Sequence, residues 1–254
     1  FNHVLNRIAA KMILPRLRLI VARGDTTQKY LEKLKLTNVV RGFDVAFSLK
    51  TDAEDMNSVT KFLPSSKGRI IGISPSEVVH KLCQERHIAY LETLKQCVEA
   101  WVATGVDCVI FPHSARQGSS KTHNNDLPLL RLLADILPKS PHVHVITEEL
   151  SAGQLRMLIS KFDLLIASRF HAIISGLATG VPVVVIGWSH KYAEALAPFE
   201  LDAFVIAYWD LSSYAVQKRV EKIEESRPGL VARIQRVSAE IVRDNVKFFD
   251  RLVE

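Results

Sequence analysis

Six short runs of Val, Ile and Leu, separated by helical patterns, constrain this chain more than any other feature. They read "RIIGIS" (69–74), "DCVIFPH" (107–113), "HVHVIT" (142–147), "DLLIAS" (163–168), "VPVVVIG" (181–187) and "AFVIA" (203–207). Runs this continuous are what strands look like when both faces are covered. Between them lie amphipathic helices: "YLETLKQCVEAWVA", with Leu91, Leu94, Val98 and Trp101 on one face, then "LPLLRLLADIL", "GQLRMLISKF" and "HAIISGLATG". Strand–helix alternation with right-handed crossovers predicts a doubly wound parallel sheet, a Rossmann-like α/β domain over 68–254.

Upstream the pattern is shorter. "LRLIVAR" (17–23) reads as a strand, "TTQKYLEKL" as a helix and "NVVRGFDVAF" as an extended piece, which makes 1–60 the tail of an incomplete N-terminal α/β domain. The polar stretch "KTDAEDMNS" (50–58) and "PSSKG" (64–68) read as linker. The chain opens on Phe1 inside a helical pattern, as a fragment would. Residues 230–254 keep helical apolar spacing through Leu230, Ile234, Val237, Ile241, Val242, Val246, Phe249 and Val253. The opposite side mixes both charge signs, so packing onto the domain is expected rather than a membrane surface.

With 48% apolar residues the chain can bury a sizeable core. Its net charge of +6 is spread rather than clustered, and no nucleic-acid motif accompanies it, so nucleic acid is not expected as a partner. No run approaches the ~20 apolar residues of a membrane span. The three cysteines, Cys83, Cys97 and Cys108, lack CxxC spacing and fit reduced thiols, hence a cytoplasmic setting.

In an open parallel sheet, ligands bind beyond the carboxyl ends of the strands. Strand direction alone places Ser74, His113, Thr147, Ser168–Arg169 and Gly187 there. Arg169 ends one strand, and Phe170–His171 open the next helix. A helix N-terminus favours an anion, a guanidinium grips phosphate or carboxylate through paired hydrogen bonds, and an imidazole moves protons near neutral pH. The competing structural roles are a salt-bridged Arg169 and a His171 that caps the helix. Small residues (Ala172, Ser175, Gly176, Ala178) allow that helix to pack closely, and Gly180 reads as its stop.

The stretch "DLLIASRFHAIISGLATGVPVVVIGWSHKYAEAL" resembles the signature of the polysaccharide pyruvyl transferase family, through Arg169, Phe170, His171, Gly180, Val181, Pro182 and Lys191, with Phe170 where the family usually has Leu. "RLRLIVARGDTTQKYLEKLKLTNVVRGFDVAF" is similar to its Arg and Asp-x-x-Phe elements (Arg23, Asp44, Phe47), and "IFPHSARQGSSKTHNNDLPLL" to its strand–His–loop–Asp element (His113, Asp126). The resemblance implies a GT-B-like transferase that moves pyruvate from phosphoenolpyruvate onto a sugar of a surface or exopolysaccharide precursor, commonly as a ketal. It implies a saccharide acceptor, lipid-linked or free, and a cytoplasmic location, at the membrane periphery if such acceptors are built there. No cofactor is expected beyond the donor phosphoenolpyruvate and no residues are assigned to a metal, with metal dependence left open. On that footing His171 is the expected general acid, and His113 orients or deprotonates the acceptor. Arg169, Phe170, Ser168, Lys191 and Arg23 are expected at the substrates.

Three weaker signals point elsewhere. Asp126 precedes Leu127-Pro128 and reads as a plain N-cap. Glu194 fits the alternative, a nucleotide-sugar GT-B glycosyltransferase, in which it would hold ribose hydroxyls. "HKLCQERH" (His80, Cys83, His87) has no fourth ligand for zinc, and His142 and His144 read as edge residues of a strand. A non-catalytic sugar-binding protein on the same fold is the third class.

Overall fold

The computed structural model describes residues 4–66, 68–118 and 124–253, with side chains through 250. The chain divides into two compact units, residues 49–238 and residues 1–48 with 239–254.

In the smaller unit, helix α1 (Val4–Ile13) precedes β1 (Ile20–Ala22), α2 (Asp25–Glu32) and β2 (Val39–Arg41). β1 and β2 pair in parallel, Ile20 opposite Val39, so β1, α2 and β2 make a single β–α–β step. The extended piece foreseen over 38–47 stops early. Asp44 Oδ1 accepts from the Ala46 backbone N–H at 3.0 Å, and Val45–Ser48 turns as a 3-10 helix.

The larger unit begins with a correction to the linker reading: α3 (Ala53–Val59) forms within the polar stretch. Asp52 caps it by accepting the Asp55 N–H at 2.9 Å, acidic residues fill its first turn, and Val59 is fully buried. One buried valine among polar neighbours left little periodicity to see. Then follow β3 (Ile70–Ser74), α4 (Glu77–Glu85), α5 (Tyr90–Val102), β4 (Asp107–Ile110), α6 (Leu127–Ile136), β5 (Val143–Val145), α7 (Ala152–Ile159), β6 (Leu164–Ala167), α8 (Phe170–Ala178), β7 (Val183–Gly187), α9 (His190–Leu196), β8 (Val205–Ala207) and α10 (Ser213–Val253).

All six expected strands form one parallel sheet, ordered β5-β4-β3-β6-β7-β8. Strands added after β3 run first to one side, and those from β6 onward run to the other. The order therefore reverses between β3 and β6, where an α/β sheet opens its ligand crevice. Residues of β4, β6 and β7 are buried throughout, which accounts for their unbroken apolar runs. Gly72, at the centre of β3, admits Phe162: a Cβ there would lie 2.1 Å from Phe162 Cδ2. Gly180 ends α8 with φ +80°.

The terminal helix starts 17 residues earlier than its apolar spacing indicated. α10 continues through Pro228, although proline lacks the N–H for the carbonyl four residues back. Val216, Val220, Ile223, Leu230, Ile234 and Val237 are buried, and Ser238 Oγ donates to the Leu177 carbonyl at 2.6 Å. Packing thus outweighs the local cost. Beyond Ile241 the buried stripe passes to Asn245, while Val246 and Phe249 are exposed.

Candidate functional site

The site is built where β3, β4 and β6 end. Asp126, with a fully buried side chain, occupies the N-cap position of α6 but makes no capping bond to that helix. This corrects the plain-cap expectation. Its Oδ1 accepts from the Glu77 N–H at 3.0 Å, at the start of α4, and its Oδ2 from the Ser114 N–H at 3.1 Å. Arg169 Nε donates to Oδ1 and Oδ2 at 3.1 and 2.9 Å, and Nη2 adds a third contact. One carboxylate thereby ties the β3–α4 and β4–α6 loops to the end of β6.

This arrangement changes the reading of Arg169. The Nε/Nη2 edge expected to grip an anion is occupied by Asp126, and Nη1 reaches Asn124 Oδ1 at 3.3 Å. The positive charge is balanced internally, and only the guanidinium hydrogens outside these contacts remain for a ligand. Ser168 is likewise structural. It is buried, its Oγ lies 2.8 Å from Tyr90 Oη, and its carbonyl accepts from Tyr192 Oη at 3.1 Å. Tyr90 Oη also accepts from the Ser76 N–H.

His113 and His171 do come together. Their rings face each other at 6.4 Å between centroids, inclined by 21°. Phe170 is buried and packs edge-on to His171 at 5.4 Å, leaving His171 exposed in the first turn of α8. Arg169 stands at the N-cap without a capping bond of its own. Burial, the adjoining charges of His171 and Arg169, and Arg156 beyond them push the His113 pKa down to about 3. His113 is therefore neutral near pH 7 and acts as a hydrogen-bonding group in a positively charged environment.

Arg156 is a site residue that the sequence reading missed. It is 5% exposed and belongs to α7. In the sequence it stands in the amphipathic run "GQLRMLISKF", where spacing alone does not separate a buried arginine from a solvated one.

Lys191 lies close by, its Nζ 5.3 Å from the Phe170 ring centroid, 4.9 Å from Trp188 and 5.4 Å from Tyr192. Arg23 belongs to the smaller unit, where Nη1 pairs with Asp44 Oδ2 at 3.0 Å. Glu194 lies 4.0 Å from His190. Part of the polar loop after His113, residues 119–123, lies outside the described residues.

Elsewhere, His142 Nδ1 and His144 Nε2 converge on Asp107 Oδ1 at 2.9 and 3.4 Å, at the opposite end of β4 from the crevice. His80 and Cys83 lie within α4, and no group of three or more His, Cys, Asp or Glu among the described residues is arranged to hold a metal ion. The three cysteines are buried free thiols, and burial raises their pKa values to about 11, 12 and 12 for Cys83, Cys97 and Cys108.

The sequence profile of the family described as polysaccharide pyruvyl transferase matches residues 1–190. The chain belongs to that family. The matched span contains Arg23, His113, Asp126, Arg169 and His171, and it ends one residue before Lys191. Comparison with curated proteins finds no match.

Among solved structures, ADP-heptose LPS heptosyltransferase II of E. coli superposes with a TM-score of 0.53 at 16% identity, covering 71% of this chain and 54% of that one. An apo structure of OtsA gives 0.62 at 11%, covering 100% and 64%. UDP-GlcNAc 2-epimerase from Neisseria meningitidis, bound to UDP-GlcNAc, gives 0.58 at 15%, covering 97% and 65%. At such identities the likeness shows the fold, which is GT-B-like. The chain spans just over half to just under two thirds of the length of these structures. Among the described residues, no helix is long and apolar enough to cross a membrane.

Proposed function

We propose that this chain carries the donor site of a pyruvyl transferase that takes pyruvate from phosphoenolpyruvate and installs it as a ketal on a sugar of a polysaccharide precursor. The observation that carries this reading is the facing pair His113–His171 beside Arg169 and the buried Arg156, at the uncapped start of α8. Phosphoenolpyruvate is a compact polyanion, and this corner combines cations with a helix N-terminus.

In the proposed reaction a proton passes from His171 to the methylene carbon, which becomes a methyl group. One sugar hydroxyl bonds to C2 of the enol and loses its proton to His113, which returns it to His171 through solvent after turnover. A second hydroxyl then bonds to the same carbon as the C2–O bond to phosphate breaks, and its proton leaves with inorganic phosphate. His113, neutral near pH 7, accepts a hydrogen bond from the attacking hydroxyl. It gains basicity once a bound anion offsets the charges of His171 and Arg169. The remaining N–H groups of Arg169, together with Arg156 and Lys191, hold the phosphate and carboxylate. The acceptor is a saccharide precursor met in the cytoplasm.

Calorimetric titration with phosphoenolpyruvate and a phosphate-release assay test this. His171→Ala is expected to lower turnover at least about 100-fold while the dissociation constant stays within about threefold. Equal turnover in both proteins, or release of a nucleoside diphosphate from a nucleotide sugar instead, would overturn it.

A further inference from the structure

At the carboxyl ends of β7 and β8 lies a cavity of about 390 Å³, within the usual range of small-molecule sites. Val205, Ala207, Ser189 and His190 line it together with two tryptophans, Trp188 and Trp209. These indoles are 38% and 52% exposed. A folded domain gains by hiding such rings, and two exposed in one cavity mark a binding surface.

The lining itself contains no Asp, Glu, Lys or Arg; Lys191 Nζ stands 4.9 Å from the Trp188 ring centroid and the Arg86 guanidinium 5.7 Å from that of Trp209. The cavity's polar side chains are hydrogen-bonding ones. Ser189 Oγ is buried and has no hydrogen-bond partner, and the His190 ring provides a second such group. Flat apolar faces beside a hydroxyl and an imidazole match a neutral pyranose, which has one C–H face and a rim of hydroxyls.

Trp188, in the wall of the cavity, leads by side-chain contacts toward the candidate site. Lys191 Nζ lies 4.9 Å from the Trp188 ring centroid and 5.3 Å from that of Phe170, whose ring is 5.4 Å from His171. We infer that the cavity is a saccharide subsite that holds a neutral pyranose ring of the acceptor on Trp188 and Trp209, with hydroxyls at Ser189 and His190. The inference rests on the acceptor being a saccharide, as proposed above.

The chain has three tryptophans, and Trp101 is buried in α5, so indole fluorescence reports chiefly on Trp188 and Trp209. Titration of the whole chain with the methyl glycosides of glucose, galactose, mannose and N-acetylglucosamine is expected to give a saturable blue shift with at least one of them. Trp209→Ala should weaken that binding at least fivefold, and Trp209→Phe should retain most of it. Phosphoenolpyruvate affinity should stay within twofold in both variants. Absence of a saturable shift with every glycoside, an unchanged affinity in Trp209→Ala, or a shift produced by uridine diphosphate alone would overturn the subsite. Glycoside binding that depends on Trp209 in a chain that does not bind phosphoenolpyruvate would support the subsite and refute the donor reading.

Discussion

At Asp126 a single buried carboxylate receives the backbone N–H groups of Glu77 and Ser114 and the side of the Arg169 guanidinium. Such convergence stabilises a charge that burial alone would make very costly. It also decides what Arg169 can do, because an arginine locked to a carboxylate orients a loop before it binds anything. Asp126→Ala leaves Arg169 with no counter-charge in a largely buried position. Removing one partner of such a pair costs about 3–5 kcal/mol, to be read as a lower denaturation midpoint in urea. A loss below about 1 kcal/mol would show that the pair is a solvated surface contact. The imidazoles differ from each other in the same spirit: Phe170 props His171 at the exposed start of α8, whereas His113 sits within reach of two or three positive groups.

Among the elements, α8 reaches the sheet because its inner face is small. A Cβ on Gly176 would meet Val183 Cγ1 at 2.8 Å and Leu165 Cδ2 at 3.1 Å. That close seat sets Arg169 and His171 at the sheet end instead of above it. α10 shows the opposite balance, in which tertiary packing overrides propensity. Pro228 is exposed within it, and Arg227 beside it donates to the Asp163 carbonyl at 2.6 Å. Pro228→Ala restores the missing N–H, and since proline costs up to about 3 kcal/mol against alanine inside a helix, the melting temperature should rise. A fall would mean that the proline itself is required for the packing of Leu230 and Ile234.

Across the whole molecule, the charge state of His113 links the site to stability. Its folded pKa of about 3 lies below the ordinary value of 6.5. As pH falls below 6.5 the unfolded chain takes up a proton that the folded chain refuses, so stability is complete above 6.5 and declines steadily toward pH 3. Asp107 adds a second, more acidic limb. Burial raises its pKa, but hydrogen bonds from Ser66, His142 and His144 outweigh this and hold it below 3.8, so its contribution is lost only as pH drops through that lowered value. Thermal melts across pH 3 to 7 should therefore show an acid decline that His113→Asn flattens between 6.5 and 4, leaving the steeper loss below it. An identical pH profile in the variant would place His113 in ordinary solvent.

What the residues determine without coordinates is the sheet and its open end. A strand covered on both faces must be apolar along its whole length, so all six strands, their parallel sense and the position of Arg169 and His171 at a strand-to-helix seam were legible. Helices governed by non-local packing were not. α3 carries one buried valine, and the first 17 residues of α10 bury only Val216, Val220 and Ile223 among many charged side chains. Nor could spacing along the chain reveal that Asp126, 43 residues before Arg169, takes up most of its guanidinium. Arg156 and the Trp188–Trp209 cavity were hidden for the same reason. Hydrophobic periodicity is written locally, one turn or one pleat at a time, whereas the partner of a buried charge is chosen by which loops the folded sheet brings to the same end.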